Sequence, residues 1–135
     1  MKFYRILLFV ALTTTLACSG PTRKETRDML CKTWIAYEYE LSDGTKKAPP
    51  TDTQNDYLKF ESDGSFESLE YGILTIQGTW SLDSSGLILT MKQDESSHFS
   101  NEIITRIIKV NENELVLERT DLNGKKSVIY SKAKE

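Results

Sequence analysis

The side chains able to do covalent or metal chemistry are few in this 135-residue chain. There are two cysteines, Cys18 and Cys31, and one histidine, His98. A histidine-based triad or a zinc site needs further partners around the imidazole. The stretch around His98, residues 93–101 (QDESSHFSN), supplies none beyond ordinary polar residues, so His98 reads as a solvated loop histidine. Asp and Glu are numerous, but they alternate with apolar residues, as solvent-facing strand positions should. Nothing singles out a pair of carboxylates for acid–base work. Gly78 and Gly86 are isolated glycines, and no phosphate-cradling loop is present. No catalytic residue, no metal and no cofactor is expected.

Cys18 is the thiol with a chemistry suggested by its surroundings. Lys2 and Arg5 form a positive n-region, and Ile6 to Leu12 (ILLFVAL) form an apolar run of secretory length. A membrane-spanning helix needs about 20 apolar residues, and this run stops at Thr13 to Thr15. Thr15-Leu16-Ala17-Cys18 then resembles the lipobox of bacterial lipoproteins, where a small residue precedes a cysteine that is acylated before cleavage. Ala17 and Cys18 match; Thr15 stands where that motif usually has leucine. The alternative is an ordinary signal peptide followed by a chance cysteine. The expected organisation is a signal peptide at 1–17, a lipidated Cys18 with tether and short helix at 18–29, and a folded domain at 30–135. Ser19 is not an aspartate of the kind that retains some lipoproteins at the inner membrane. The resemblance therefore implies a cell-envelope protein anchored by its lipid to the outer membrane.

A lipidated Cys18 cannot form a disulfide, which leaves Cys31 as a lone thiol. Cys31 lies beside Leu30 and near Trp34 at the expected start of a strand, and it reads as a buried, inert thiol. Removing residues 1–17 takes away Lys2 and Arg5. That leaves 15 basic and 20 acidic side chains, a formal charge of −5. Such mild acidity argues against nucleic acid as a partner.

The elements that must position any site are mostly strands. Thr22 and Glu25 have the spacing of a capping box, which opens a helix over 23–30. Beyond it, short runs alternate apolar and polar residues between turn signals. Strands are predicted over about 31–41, 57–61, 65–71, 74–82, 87–92, 102–110, 114–120 and 125–132. Asp63-Gly64, Ser85-Gly86 and Asn123-Gly124 mark tight turns between them. Leu74, Ile76, Trp80 and Leu82 share a face, with Gly78 among them. The strand with Ile103, Ile104, Ile107 and Ile108 is apolar on both faces, so its register stays open. Eight meandering strands can make a closed barrel or a two-sheet sandwich. Closure removes exposed edges, and so the expected fold is all-β: an eight-stranded antiparallel up-and-down barrel with a short N-terminal helix.

Several blocks suggest a family. They are Leu30 with Trp34, Tyr57-Leu58-Lys59-Phe60 followed by Asp63-Gly64-Ser65-Phe66, then Gly78-Thr79-Trp80-Ser81-Leu82. Gly86-Leu87-Ile88-Leu89, Asn113-Glu114-Leu115-Val116-Leu117 and the terminal Tyr130 with Lys132 complete the set. Over residues 30–132 the chain resembles the bacterial lipocalin-like lipoproteins. Lys32 stands where their first strand usually has the glycine of Gly-x-Trp. The resemblance implies a lipocalin-like barrel and, through it, a small apolar ligand.

Trp34, Phe60, Phe66 and Trp80 are the candidate ligand-binding or core residues, since an eight-stranded barrel is just wide enough for either role. Two readings follow. One is a lipid-anchored, non-enzymatic binding module, covered at one end by the loop 42–56 with Pro49-Pro50 and closed at the other by the helix. The other is a protein-interaction lipoprotein, an envelope-complex subunit or an enzyme inhibitor, with a solid core. The expected partners are a membrane, through the lipid, and a small apolar ligand. No protein partner is identified.

Overall fold

Strands joined by tight turns pair with their neighbours in sequence, because short connections leave no other geometry. The computed structural model describes residues 20–94 and 102–135. One helix, α1 (Arg23–Leu30), precedes β1 (Thr33–Glu40), β2 (Lys46–Lys47), β3 (Tyr57–Phe60), β4 (Ser65–Glu70) and β5 (Leu74–Leu82). Then come β6 (Ile88–Gln93), β7 (Glu102–Val110), β8 (Glu114–Thr120) and β9 (Lys126–Ala133). All pairings are antiparallel in the order β1-β3-β4-β5-β6-β7-β8-β9. Strand β9 returns to β1, with Trp34 opposite Ala133 and Tyr39 opposite Ile129. The result is the expected closed barrel of eight strands with one helix. The two-residue β2 is an addition the sequence did not announce; it pairs only with the end of β1.

Side-chain carboxylates and amides shape the turns. Asp63 Oδ1 accepts from the backbone of Ser65 at 2.8 Å, and Gly64 between them has φ +92°. Asp121 Oδ1 accepts from the backbone of Asn123 and Lys125, both at 2.8 Å, and Gly124 has φ +75°. The last hairpin is thus built on the Asp121 side chain as much as on Asn123-Gly124. Strand β4 ends at Glu70, one residue earlier than predicted. Tyr71 and Gly72 turn left-handed, at φ +54° and +69°. A tyrosine there is strained, and Asp56 holds it: its two carboxylate oxygens accept from Tyr71 N and Gly72 N, each at 2.8 Å.

Two irregularities settle registers that alternation left open. In β7 the pairing with β8 shifts between Ile107 and Lys109. Thr105 and Ile107 are buried, whereas Ile104 and Ile108 are exposed, and past the shift Val110 packs on the core. A comparable shift between Ala36 and Glu38 in β1 turns Tyr37 outward. Bulges of this kind bend and twist a strand, which helps a small barrel close.

Helix α1 packs across one end of the barrel. Its capping box forms as expected: Thr22 Oγ1 accepts from Glu25 N at 3.3 Å, and Glu25 Oε2 accepts from Thr22 N at 2.7 Å. Leu30 and Thr26 are buried. Arg23 donates to the Leu82 carbonyl at 3.1 Å, and Arg27 donates to the Ser62 carbonyl at 2.9 Å. The Arg27 guanidinium also lies over the Trp80 ring, 4.7 Å from its centroid.

Candidate functional site

The turns β3–β4, β5–β6 and β7–β8 lie at the helix end. The connections β1–β3, β4–β5 and β8–β9 lie at the other. The helix end is filled. Phe60 meets the Trp80 ring edge-on at 5.3 Å, and Leu30, Leu82, Leu89 and Leu115 complete the packing. Both tryptophan N–H groups are satisfied inside it. Trp80 Nε1 donates to the Glu61 carbonyl at 3.1 Å, and Trp34 Nε1 donates to the Leu30 carbonyl at 2.9 Å.

The opposite half holds a cavity of about 460 Å³ that opens to solvent. Trp34, Leu58, Phe66, Met91, Ile103 and Leu117 form much of its apolar lining. Their inward direction follows from strand alternation: the partners of each strand pair place residues of the same phase side by side. Three hydroxyls interrupt that lining, Ser68 on β4, Thr105 on β7 and Ser131 on β9. All three are buried. Thr105 Oγ1 donates to the Leu89 carbonyl at 3.5 Å. Glu70, Arg119, Tyr39 and Gln93 lie higher on the wall, and Pro50, Thr53 and Asp56 of the long β1–β3 connection border the opening.

The opening is electrically uneven. Burial holds the Glu70 carboxyl above the usual carboxylate range, and neighbouring Asp56 pushes it the same way, while Arg119 opposes them weakly. Tyr39 is raised as well, by burial first and then by Asp56, Glu70 and Tyr71. Both groups therefore hold their protons more firmly than they would in water.

A second hollow, about 310 Å³, lies on the outer wall beside Lys59, Glu61, Glu67 and Gln77. Those side chains already satisfy one another. Lys59 pairs with Glu61 at 2.5 Å, Gln77 donates to Glu67 at 2.9 Å, and Tyr57 also donates to Glu67. Its polar neighbours are taken, so the barrel cavity is the candidate site.

The four aromatic residues singled out from the sequence divide between the two halves. Phe66 lines the cavity and Phe60 and Trp80 pack within the helix end, while Trp34 spans the two, its N–H bonded to Leu30 and its ring part of the cavity wall. Gly78 is explained by contact. A Cβ there would stand 2.1 Å from the Lys92 carbonyl oxygen and 2.8 Å from the Phe66 ring. The missing side chain makes room for β6 and for Phe66, not for a ligand. Cys31 is half-buried against the core, and burial raises its thiol, which keeps it a poor nucleophile. Cys18 and His98 lie outside the described residues. Among the described residues no cluster of three or more His, Cys, Asp or Glu could hold a metal ion.

Ser68, Glu70 and Arg119 were not picked out from the sequence. The available signal was phase: Ser68 and Glu70 continue the inward face of Phe66, and Arg119 continues that of Leu115 and Leu117. Polar residues on an otherwise apolar face mark either a strand end or a cavity, and alternation alone does not separate the two.

Comparison with known proteins agrees with this geometry. No curated protein matches the sequence. Among solved structures, a lipocalin-like protein from Bacteroides uniformis superposes with a TM-score of 0.56 at 20% identity, covering 75% of this chain and 96% of that one. A protein from Burkholderia xenovorans superposes with a TM-score of 0.45 at 11% identity, covering 91% and 97%. The first likeness is one of fold. Residues 30–117, from the last helical residue through most of β8, match the lipocalin-like domain family. The chain belongs to the family of lipocalin-like domains.

Proposed function

We propose that this protein is a lipid-anchored, non-enzymatic binding module of the bacterial envelope that holds a small, largely apolar molecule in its barrel. The observation that carries the reading is the cavity. Its volume of about 460 Å³ falls within the roughly 300–1,000 Å³ of small-molecule sites, and its lining is mainly apolar with a few polar groups. The cavity favours this reading over a protein-interaction module with a solid core. The anchor rests on the lipobox resemblance at Cys18 and the apolar run before it. Stable attachment needs two or more acyl chains or an equivalent second signal.

Two experiments test the two parts. Native mass spectrometry of the mature chain with Cys18→Ala, after exposure to envelope lipid extract, should recover a bound small molecule. Repeated recovery of the empty protein would sink the binding reading. Separately, Cys18→Ala in the full chain should abolish fatty-acid labelling and release the protein from sedimenting membranes. A variant that still labels and sediments would remove the anchor.

A further inference from the structure

Polar groups of the cavity come from several strands, and the two acids among them, Glu70 and Asp56, stand close together. Ser68 and Glu70 are successive inward residues of β4, so they stand next to each other on one wall. Tyr39, from β1, and Asp56, from the connection after it, border the same corner. The Ser68 hydroxyl belongs to a residue only 7% exposed. Among the described residues it has no hydrogen-bond partner, and neither has the Glu70 carboxylate. Buried polar groups are ordinarily paired, and a half-buried carboxylate costs free energy until something donates to it. Arg119 lines the cavity too, but it is exposed and makes no ion pair with Glu70. It acts on Glu70 only through its charge and leaves the carboxylate without a hydrogen bond among the described residues. Asp56 cannot help, since it is itself an acid and both its oxygens already hold the Tyr71–Gly72 turn. The corner therefore holds two acids, is partly desolvated, and among the described residues has hydroxyl donors but no cation paired with Glu70, with an apolar chamber below it.

We propose that the ligand is an amphipathic amine, its apolar body seated on Trp34, Phe66 and Met91 and its ammonium head held by the Glu70 carboxylate with the Ser68 hydroxyl as second acceptor. An ammonium supplies the positive charge that Glu70 has no partner for, together with three donors. A carboxylate head would meet Glu70 and Asp56 with like charge. A neutral alcohol could donate to Glu70 but would leave its charge uncompensated. This inference rests on the ligand-binding reading and adds the head group to it.

The test compares three probes of equal chain length, decylamine, 1-decanol and decanoate. Each displaces the neutral fluorophore N-phenyl-1-naphthylamine from the mature chain carrying Cys18→Ala at neutral pH. A charge-assisted hydrogen bond in place of a neutral one should favour decylamine over decanol by about tenfold, with decanoate weakest. Glu70→Gln should erase the preference for the amine over decanol, and an unchanged far-UV circular dichroism spectrum shows that the variant is folded. Arg119→Gln should leave the amine bound as tightly or more tightly. The inference is overturned if decanoate matches or exceeds decylamine, if Glu70→Gln keeps the preference, or if Arg119→Gln weakens the amine. Binding of all three probes alike overturns the head-group assignment alone. Failure of the fluorophore and every probe to bind overturns the ligand-binding reading, and this inference with it.

Discussion

The same eight strands build two different interiors. Toward the helix, inward positions carry Phe60, Trp80, Leu82, Leu89 and Leu115, and they meet in a filled core. Toward the long connection, inward positions carry Ala36, Ser68, Glu70, Gln93 and Ser131, and a cavity remains. The filled half has a lid that packs: α1 buries Leu30 and Thr26 and hydrogen-bonds the turns through Arg23 and Arg27. At the open half, Pro50, Thr53 and Asp56 of the long β1–β3 connection border the cavity. In a small barrel of this kind, stability concentrates where large side chains interdigitate. Binding capacity is left where small and polar residues line the wall. The contrast predicts that substitutions in one half should change stability without being ligand-specific, and substitutions in the other should do the reverse.

The largest effect belongs to the filled half. Trp80→Ala removes a buried ring that packs on Phe60, carries Arg27 above it and donates to Glu61. It should cost about 3–5 kcal/mol, a large part of a small domain's stability. Urea denaturation would read this directly. A loss under about 1 kcal/mol would mean that the helix end is not the stabilising half.

Gly78→Ala is next. The new methyl would collide with the β6 backbone and with Phe66, and overpacking of this kind costs about 1–3 kcal/mol. Because Phe66 also lines the cavity, this variant sharpens the comparison: it should lower the denaturation midpoint and weaken displacement of an apolar fluorophore together. Unchanged stability would show that the strands can separate there at little cost.

Ser68→Leu should separate the two properties. Among the described residues the hydroxyl makes no hydrogen bond that would be lost, and the added carbons enter open volume. Stability should move by less than about 1 kcal/mol, while fluorophore binding falls by about tenfold or more. A severe loss of stability would mean that the cavity is not available volume in the folded protein.

The smallest expected effect is that of Glu70→Gln, and it depends on pH. The folded state holds the Glu70 proton more firmly than the unfolded chain, because burial and Asp56 raise its carboxyl against the weaker pull of Arg119. The folded form therefore binds more protons than the unfolded form between the two values. Its contribution favours folding fully below the unfolded value and is lost as pH rises through the folded one. At neutral pH the variant should be more stable than the parent by about a few tenths of a kcal/mol, given solvent screening at the rim. The difference should shrink toward acid. Thermal melts at mildly acidic and neutral pH would reverse the sign assigned to Glu70 if the gap widened in acid instead.

Much of the fold could be read from one dimension, and the limits are physical. The helix over 23–30 was legible because capping is local: Thr22 and Glu25 are three residues apart and need only each other. Strands 74–82, 102–110 and 114–120 were legible to the residue because their turns are set by nearby Gly, Asn and Asp. The orientation of β7 was not legible, since isoleucines occupy both faces and a bulge at Ile108 resets the phase midway. Nor was the role of Gly78, because the atoms that forbid a side chain there belong to β6 and to Phe66, twelve or more residues away.

What the sequence by itself determined is what local chemistry determines: the helix and its cap, the turns, the strand spans and, through them, a meander that closes to hide its edges. The tertiary structure alone decided which of four similar aromatic residues fill the core and which face a void. All four are large, apolar and inward by alternation, so their fates differ only by position along the barrel axis. Phe60 and Trp80 come together under α1, whereas Trp34 and Phe66, also buried, form part of the cavity wall. That position depends on strand stagger and on the register shifts in β1 and β7, which no local pattern encodes. The same stagger brings Glu70 near Tyr39 and Asp56, and so it decides where the cavity carries its acids.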